Sequence, residues 1–244
     1  MIKIQIALAL IIVALTFVLS IVVAMIPAFI LRIFGAHKAA DKWMRYNGTN
    51  IAKIIMFVLH TDVTVIGKEL IPEEGAPLCF IANHQSMLDI PIVLAKLGIW
   101  VGFIAKSELK KVPILNVWIR AMNCVYIDRK SPRSSIEAIL QGVKQIQQGT
   151  AMFIFPEGTR SKTGALGTFK TGSLKLATRA KAIIVPITID GTRDAFEHRT
   201  SVRKTPIRLS VSEPIDTATM SEEQLKDLPE VVFGQIQQHY QIEG

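Results

Sequence analysis

Among the 244 residues of this chain, His84 and Asp89 stand five positions apart, directly behind the apolar run LCFIA (78–82). An imidazole held by a carboxylate has a fixed tautomer and can take a proton from a hydroxyl through its other ring nitrogen. Within a single helix this offset would turn the two side chains about 140° apart, too far to meet. With Ser86 as an N-cap and Asp89 three residues on, at capping-box spacing, His84 falls in the loop ahead of the helix and can fold back on Asp89. The same spacing suits a second arrangement, in which Asp89 only caps and His84 is a polar loop residue. Spacing alone leaves both open.

Three further strand ends carry charge. After AMFIF comes Phe155-Pro156-Glu157-Gly158-Thr159-Arg160-Ser161, a glycine-containing turn with a carboxylate and a cation, and Lys170 lies nearby. An arginine fork and backbone amides beside a glycine suit a phosphate. Tyr126-Ile127-Asp128-Arg129 ends another strand candidate, and Lys106 follows the run WVGFIA. Each cation alone reads as a solvated surface charge. Their recurrence at successive strand ends points to a phosphate site.

The elements that must position these residues follow from the pattern of apolar runs. Strands are expected at 63–66, 78–82, 100–105, 124–128, 151–155, 183–189 and 207–211, with helices at 87–97, 113–121, 134–148, 172–179 and 222–240. Short β-rich runs alternating with helices predict an α/β fold, a largely parallel mixed sheet flanked by helices. In such sheets ligands bind at the carboxyl ends of the strands. Residues 62–244 form this domain. Residues 1–61 form a separate membrane-anchoring helical segment, joined to it without a linker.

That first segment explains a mean hydropathy of +0.35 in a chain with net charge +8 and pI near 9.6. From Ile4 to Phe34 there is no acidic residue, and Arg32 is the one formal charge. The run exceeds the roughly 20 apolar residues that cross a bilayer and is too long for a signal-peptide core, so a retained anchor is expected. Pro27 should kink or interrupt this helix. Arg32, Lys38, Lys42, Arg45 and Lys53 against one Asp41 place the remainder of the chain on the cytoplasmic face of the cell membrane. The stretch 50–60 is too short to span and reads as an amphipathic helix at the interface. One full crossing and two helices dipping into one leaflet both fit.

Two cysteines, Cys79 and Cys124, sit in apolar runs and are expected as buried thiols, not a disulfide. The five histidines are dispersed and no HExxH or CxxC occurs, so no metal is expected. The basic charge points to an anionic partner, an anionic membrane, and not to nucleic acid, since the cations lack interleaved aromatics.

Taken together, these segments resemble a known family. NHQSMLD resembles the H-x4-D signature of the glycerolipid acyltransferases, the 1-acyl-glycerol-3-phosphate acyltransferase group. FPEGTRS matches that family's third block, CVYIDR resembles the second, and IIVPITI (183–189) resembles the fourth. Their order and spacing agree, as does the intervening FIAKSELKKVPILNVWIR, over roughly Val63 to Ile189.

The resemblance implies transfer of a fatty acyl group from acyl-CoA or acyl-ACP to the sn-2 hydroxyl of lysophosphatidic acid, giving phosphatidic acid. No cofactor is needed beyond the thioester co-substrate. By the same resemblance His84 and Asp89 are catalytic, and Lys106, Arg129, Glu157, Gly158, Thr159 and Arg160 bind the acceptor's glycerol phosphate. The apolar fourth block shapes an acyl pocket or is a core strand. Glycerol 3-phosphate or another lysolipid is the alternative acceptor. A non-catalytic, membrane-tethered phospholipid-binding protein is the alternative of another class, although phosphate binding alone needs no general base.

Overall fold

The computed structural model of the chain describes residues 2–198 and 203–241. It begins with α1 (Ile2–Ser20), a wide π-helical turn (Ile21–Met25) and α2 (Ile26–Ile33), against which α3 (His37–Val58) folds back. Ile4–Ile33 is long and apolar enough to cross a membrane, with a mean hydropathy of 3.2 and only 11% burial over its most apolar window. Leu8, Leu15, Leu19, Val22, Phe29 and Ile33 all face outward. A helix so exposed and so apolar suits a hydrocarbon surrounding by its length and composition.

Pro27 does not end this helix. Lacking an N–H, a proline leaves the carbonyl four residues back without its donor. The wide turn lies immediately upstream, and the Trp43 indole of α3 donates to Val23 O at 3.1 Å. The freed carbonyl is thus satisfied from the neighbouring helix. The Trp118 indole likewise donates to Ser20 Oγ at 3.1 Å, within a small cluster of Ala24, Ala28, Ala40 and Met44.

Beyond α3 come β1 (Thr61–Ile66), β2 (Leu78–Ala82), α4 (Asp89–Lys96), β3 (Val101–Lys106), α5 (Pro113–Ala121), β4 (Val125–Ile127), α6 (Pro132–Gln147) and β5 (Ala151–Ile154). The chain continues through α7 (Thr171–Arg179), β6 (Ile183–Asp190), α8 (Thr192–Ala195), β7 (Thr205–Val211), β8 (Ile215–Asp216) and α9 (Glu222–His239). The sheet order is β1-β7-β6-β2-β5-β3-β4, with β8 paired to β6. All pairs are parallel except β6 with β7 and β6 with β8. This is the largely parallel mixed sheet, flanked by helices, that the alternation of elements predicts.

β2 is buried along its whole length, which is why it reads as an unbroken apolar run. Phe80 and Phe153 of adjacent strands stack at 5.9 Å on the face covered by α3, α4 and α5. Cys79, Ile81 and Met152 face α6, α7 and α9 on the other side. Each large side chain fully buried here stabilises the fold by about 1.5–3 kcal/mol. Burial pushes both thiols, Cys79 and Cys124, up to about 12.

The stretch 50–60 differs from expectation. It is the second half of α3, and Ala52, Ile55, Met56 and Leu59 pack into the main core while Ile54 and Phe57 stay exposed. An amphipathic face fits a sheet as well as a lipid interface, and here the sheet takes it.

Candidate active site

β2 delivers its chain end to the site through Asn83, whose buried side chain bonds both the N–H and the C=O of Ile189 at 2.8 Å. This clamp ties β2 to β6 where their ladder ends and fixes where the next residue emerges. His84 follows in the loop, and Asp89 is the first residue of α4. Three donors converge on one fully buried oxygen, Asp89 Oδ2: His84 Nδ1 at 2.7 Å, Gln85 N at 2.8 Å and Ser86 N at 3.0 Å. Since the oxygen accepts, His84 carries its hydrogen on Nδ1, and in the neutral ring Nε2 holds a lone pair. Among the described residues nothing hydrogen-bonds Nε2. The imidazole lies flat on the Phe155 ring, with centroids 4.0 Å apart, which fixes its tilt.

Ser86 does not form the expected cap. Its Oγ accepts from Leu88 N at 3.0 Å, and Asp89 supplies only the reverse half of the box, by accepting from Ser86 N. A carboxylate in the first turn is also favourable against the helix dipole.

The loop after β5 holds His84 from the other side. Glu157 Oε1 accepts from His84 N at 2.8 Å, and Ser161 N donates to His84 O at 2.8 Å. Glu157 Oε2 accepts from Gly167 N at 3.1 Å. Both oxygens of this buried carboxylate are therefore engaged by backbone, and its contribution is to hold the two loops together. Burial raises the Glu157 pKa, against the lowering effect of those two amides.

Gly167 is required by this contact, because a Cβ there would lie 2.4 Å from Glu157 Oε2. Gly167→Ala is expected to push the carboxylate off both amides, loosen His84 and lower kcat by roughly tenfold or more. Steady-state rates at saturating substrates check this, and an unchanged kcat would count against the loop-holding role of Glu157. Gly158 adopts φ +70°, and a Cβ there would lie 2.9 Å from Lys170 Nζ.

Thr159 and Arg160 are exposed beside a cavity of ≈ 320 Å³, lined also by Glu157, Ser161, Leu166 and Thr168. Arg160 Nη1 donates to Glu197 Oε1 at 2.9 Å. The other two cations stand further along the same edge. Lys106, at the end of β3, pairs with Glu108 at 2.8 Å, a bond that holds Glu108 down to about 2. Arg129 follows the edge strand β4 and is exposed. With β2, β5, β3 and β4 side by side, His84 and Glu157 are immediate neighbours, and Arg129 lies three strand spacings, about 14 Å, from the β2 end. Val185 and Ile187 of the apolar fourth block are fully buried in the core, on β6 beside β2.

Three contributors have no local signal in the sequence. Gln85 Nε2 donates to the Tyr240 hydroxyl at 2.5 Å, and that hydroxyl donates to Gly164 O, so the C-terminal segment staples the two loops. Glu197 accepts from Met87 N as well as from Arg160. Asn83 is the third. Only the folded chain reveals them.

A family model described as Acyltransferase matches residues 62–190. A chloroplastic 1-acyl-sn-glycerol-3-phosphate acyltransferase of Arabidopsis thaliana is 37% identical over 130 residues, 53% of this chain and 36% of that protein. A probable 1-acyl-sn-glycerol-3-phosphate acyltransferase of Mycoplasma pneumoniae is 30% identical over 203 residues, 78% of this chain and 75% of that protein. The match thus spans about a third of the plant relative's length and three-quarters of the bacterial one. The crystal structure of the 1-acyl-sn-glycerophosphate (LPA) acyltransferase from Thermotoga maritima is 28% identical, with a TM-score of 0.77 over 93% of both chains. The family match runs through the whole stretch that carries His84, Glu157 and Ile189, and the shared fold extends well beyond it. On both grounds, the chain belongs to the acyltransferase family, in the group of the 1-acyl-sn-glycerol-3-phosphate acyltransferases.

Proposed function

We propose that this protein transfers a fatty acyl group from acyl-CoA or acyl-ACP to the sn-2 hydroxyl of lysophosphatidic acid, giving phosphatidic acid at the cytoplasmic face of the membrane. The observation that carries this reading is the 2.7 Å His84–Asp89 bond, which leaves Nε2 as an unengaged base at the carboxyl end of the sheet. Nε2 takes the hydroxyl proton as the acceptor oxygen attacks the thioester carbonyl, and Asp89 stabilises the imidazolium that forms. The tetrahedral intermediate collapses by breaking the carbon–sulfur bond, and the departing thiolate takes the proton back from Nε2. A thioester is already activated, so the reaction needs neither an acyl-enzyme nor a cofactor.

Arg160 binds the acceptor phosphate, with Thr159 beside it and Lys106 and Arg129 supplying positive potential along the same edge. Glu157 and Gly158 give the loop its shape. The membrane helix brings the protein to a lipidic acceptor, and the basic residues from Arg32 to Lys53 set its orientation.

The test is the full chain in detergent micelles with a labelled acyl donor, offered glycerol 3-phosphate, lysophosphatidic acid and lysophosphatidylcholine in parallel. Labelled phosphatidic acid from lysophosphatidic acid is the expected product. Transfer to either of the others in its place would reassign the acceptor, and no transfer to any would sink the reading. Arg160→Ala is expected to raise the acceptor KM roughly ten- to hundredfold, the worth of a charge-assisted hydrogen bond, and to leave the donor KM unchanged.

A further inference from the structure

The proposed phosphate ligand, Arg160, is already occupied by an anion of the protein itself. Glu197 Oε1 accepts from Arg160 Nη1 and from Met87 N, each at 2.9 Å. A backbone amide ahead of a helix, paired with a guanidinium, is a two-pronged anion position, and one carboxylate oxygen fills both prongs.

Met87 differs in this from the amides around it. Those of Gln85 and Ser86 are committed to buried Asp89, that of Leu88 to Ser86 Oγ and that of Gly158 to Phe155 O. These three partners are short side chains or backbone. Glu157, which takes the His84 amide, is as long but is buried and tied to backbone at both oxygens, whereas Glu197 sits just past the four-residue α8 and holds its two donors through one oxygen, with its partner Arg160 about half exposed. A change of rotamer withdraws it without moving the backbone.

We propose that Glu197 is a built-in competitor for the acceptor's phosphate, holding the Met87 N–H and the Arg160 guanidinium until a phosphate monoester displaces it. This rests on the reading that Arg160 binds the acceptor phosphate. A phosphate and a carboxylate cannot share the two prongs, since like charges a few ångströms apart repel even where solvent screens them. The apparent acceptor affinity is then reduced by the fraction of time that Glu197 is withdrawn. The carboxylate thereby sets the acceptor KM and takes no part in the chemical step.

The experiment compares Glu197→Gln and Glu197→Ala in the full-length protein in micelles, alone and combined with Arg160→Ala. Glutamine keeps an acceptor oxygen for both donors but removes the charge. Both variants are expected to lower the acceptor KM about two- to fivefold, the scale of a partly exposed ion pair, with the donor KM unchanged. The inhibition constant of inorganic phosphate, competing with the acceptor, should fall in step. In the Arg160→Ala background the effect should shrink, since only the Met87 amide is then left to compete for.

A KM that stays put or rises, most of all in Glu197→Ala with rescue by glutamine, would make Glu197 a brace for Arg160 and overturn the proposal. A fall of undiminished size without Arg160 would overturn it equally. If Arg160→Ala itself leaves the acceptor KM unchanged, the phosphate assignment fails first. Melting temperatures of the ligand-free variants, expected within a few degrees of the parent, separate these outcomes from misfolding.

Discussion

Replacing His84 by alanine is expected to remove acyl transfer, by a factor of about 10²–10⁴, while the protein still folds and still binds its acceptor. The side chain contributes only the bond to Asp89 and the stack on Phe155. The two ties that hold the loop at this position, from Glu157 and from Ser161, use His84 backbone atoms and survive the change. Asp89 keeps the Gln85 and Ser86 amides, so no buried carboxylate is left unpartnered. Initial rates beside equilibrium binding of labelled lysophosphatidic acid check the prediction. Turnover above a tenth of the parent rate would remove His84 from the role of base.

Asp89→Asn is the second large effect, and it should show in both rate and stability. The three donors that converge on Oδ2 can still meet the amide oxygen, but the amide nitrogen then takes the place of Oδ1, which is buried and has no hydrogen-bond partner among the described residues. A buried amide without an acceptor costs about 1–3 kcal/mol. The loss in kcat is larger, because a neutral amide, even with its oxygen on Nδ1–H, does not stabilise the imidazolium that forms. In serine hydrolases the corresponding change costs about 10⁴ through the wrong tautomer, and a smaller loss is expected here, where the Gln85 and Ser86 amides keep the amide oxygen on Nδ1–H. Thermal melts and kcat measured on one preparation separate the two consequences. A kcat within tenfold of the parent would show that the imidazole needs no charged partner.

Much of this arrangement is legible in the chain because its causes are local. Buried parallel strands such as β2 and β6 are continuous apolar runs, and α5 begins at a proline that suits a first helical position. The charged strand ends are visible for the same reason. The contacts that no pattern announces have their causes far away in sequence. Asn83 reaches across 106 residues to Ile189, Met87 across 110 to Glu197, and Gln85 across 155 to Tyr240. No spacing rule spans such distances.

The Ser86 cap misleads for a different reason: a serine hydroxyl can accept from several nearby amides, and here it takes the one two residues on. β8 is only a residue pair, too short for periodicity to register. Residues 50–60 mislead because an apolar stripe records that something covers it, not what.

The bond from Trp43 to the carbonyl behind Pro27, and that from Trp118 to Ser20, bear on more than helix repair. They bolt the anchor to α3 and α5, so the catalytic sheet is not tethered like a buoy on a line. It stands on a stiff post. On the proposed function, the height of His84 above the hydrocarbon would be set by the geometry of the fold, and bilayer thickness would become a variable of the reaction: a thicker or thinner membrane would change how far an acceptor must rise to meet His84.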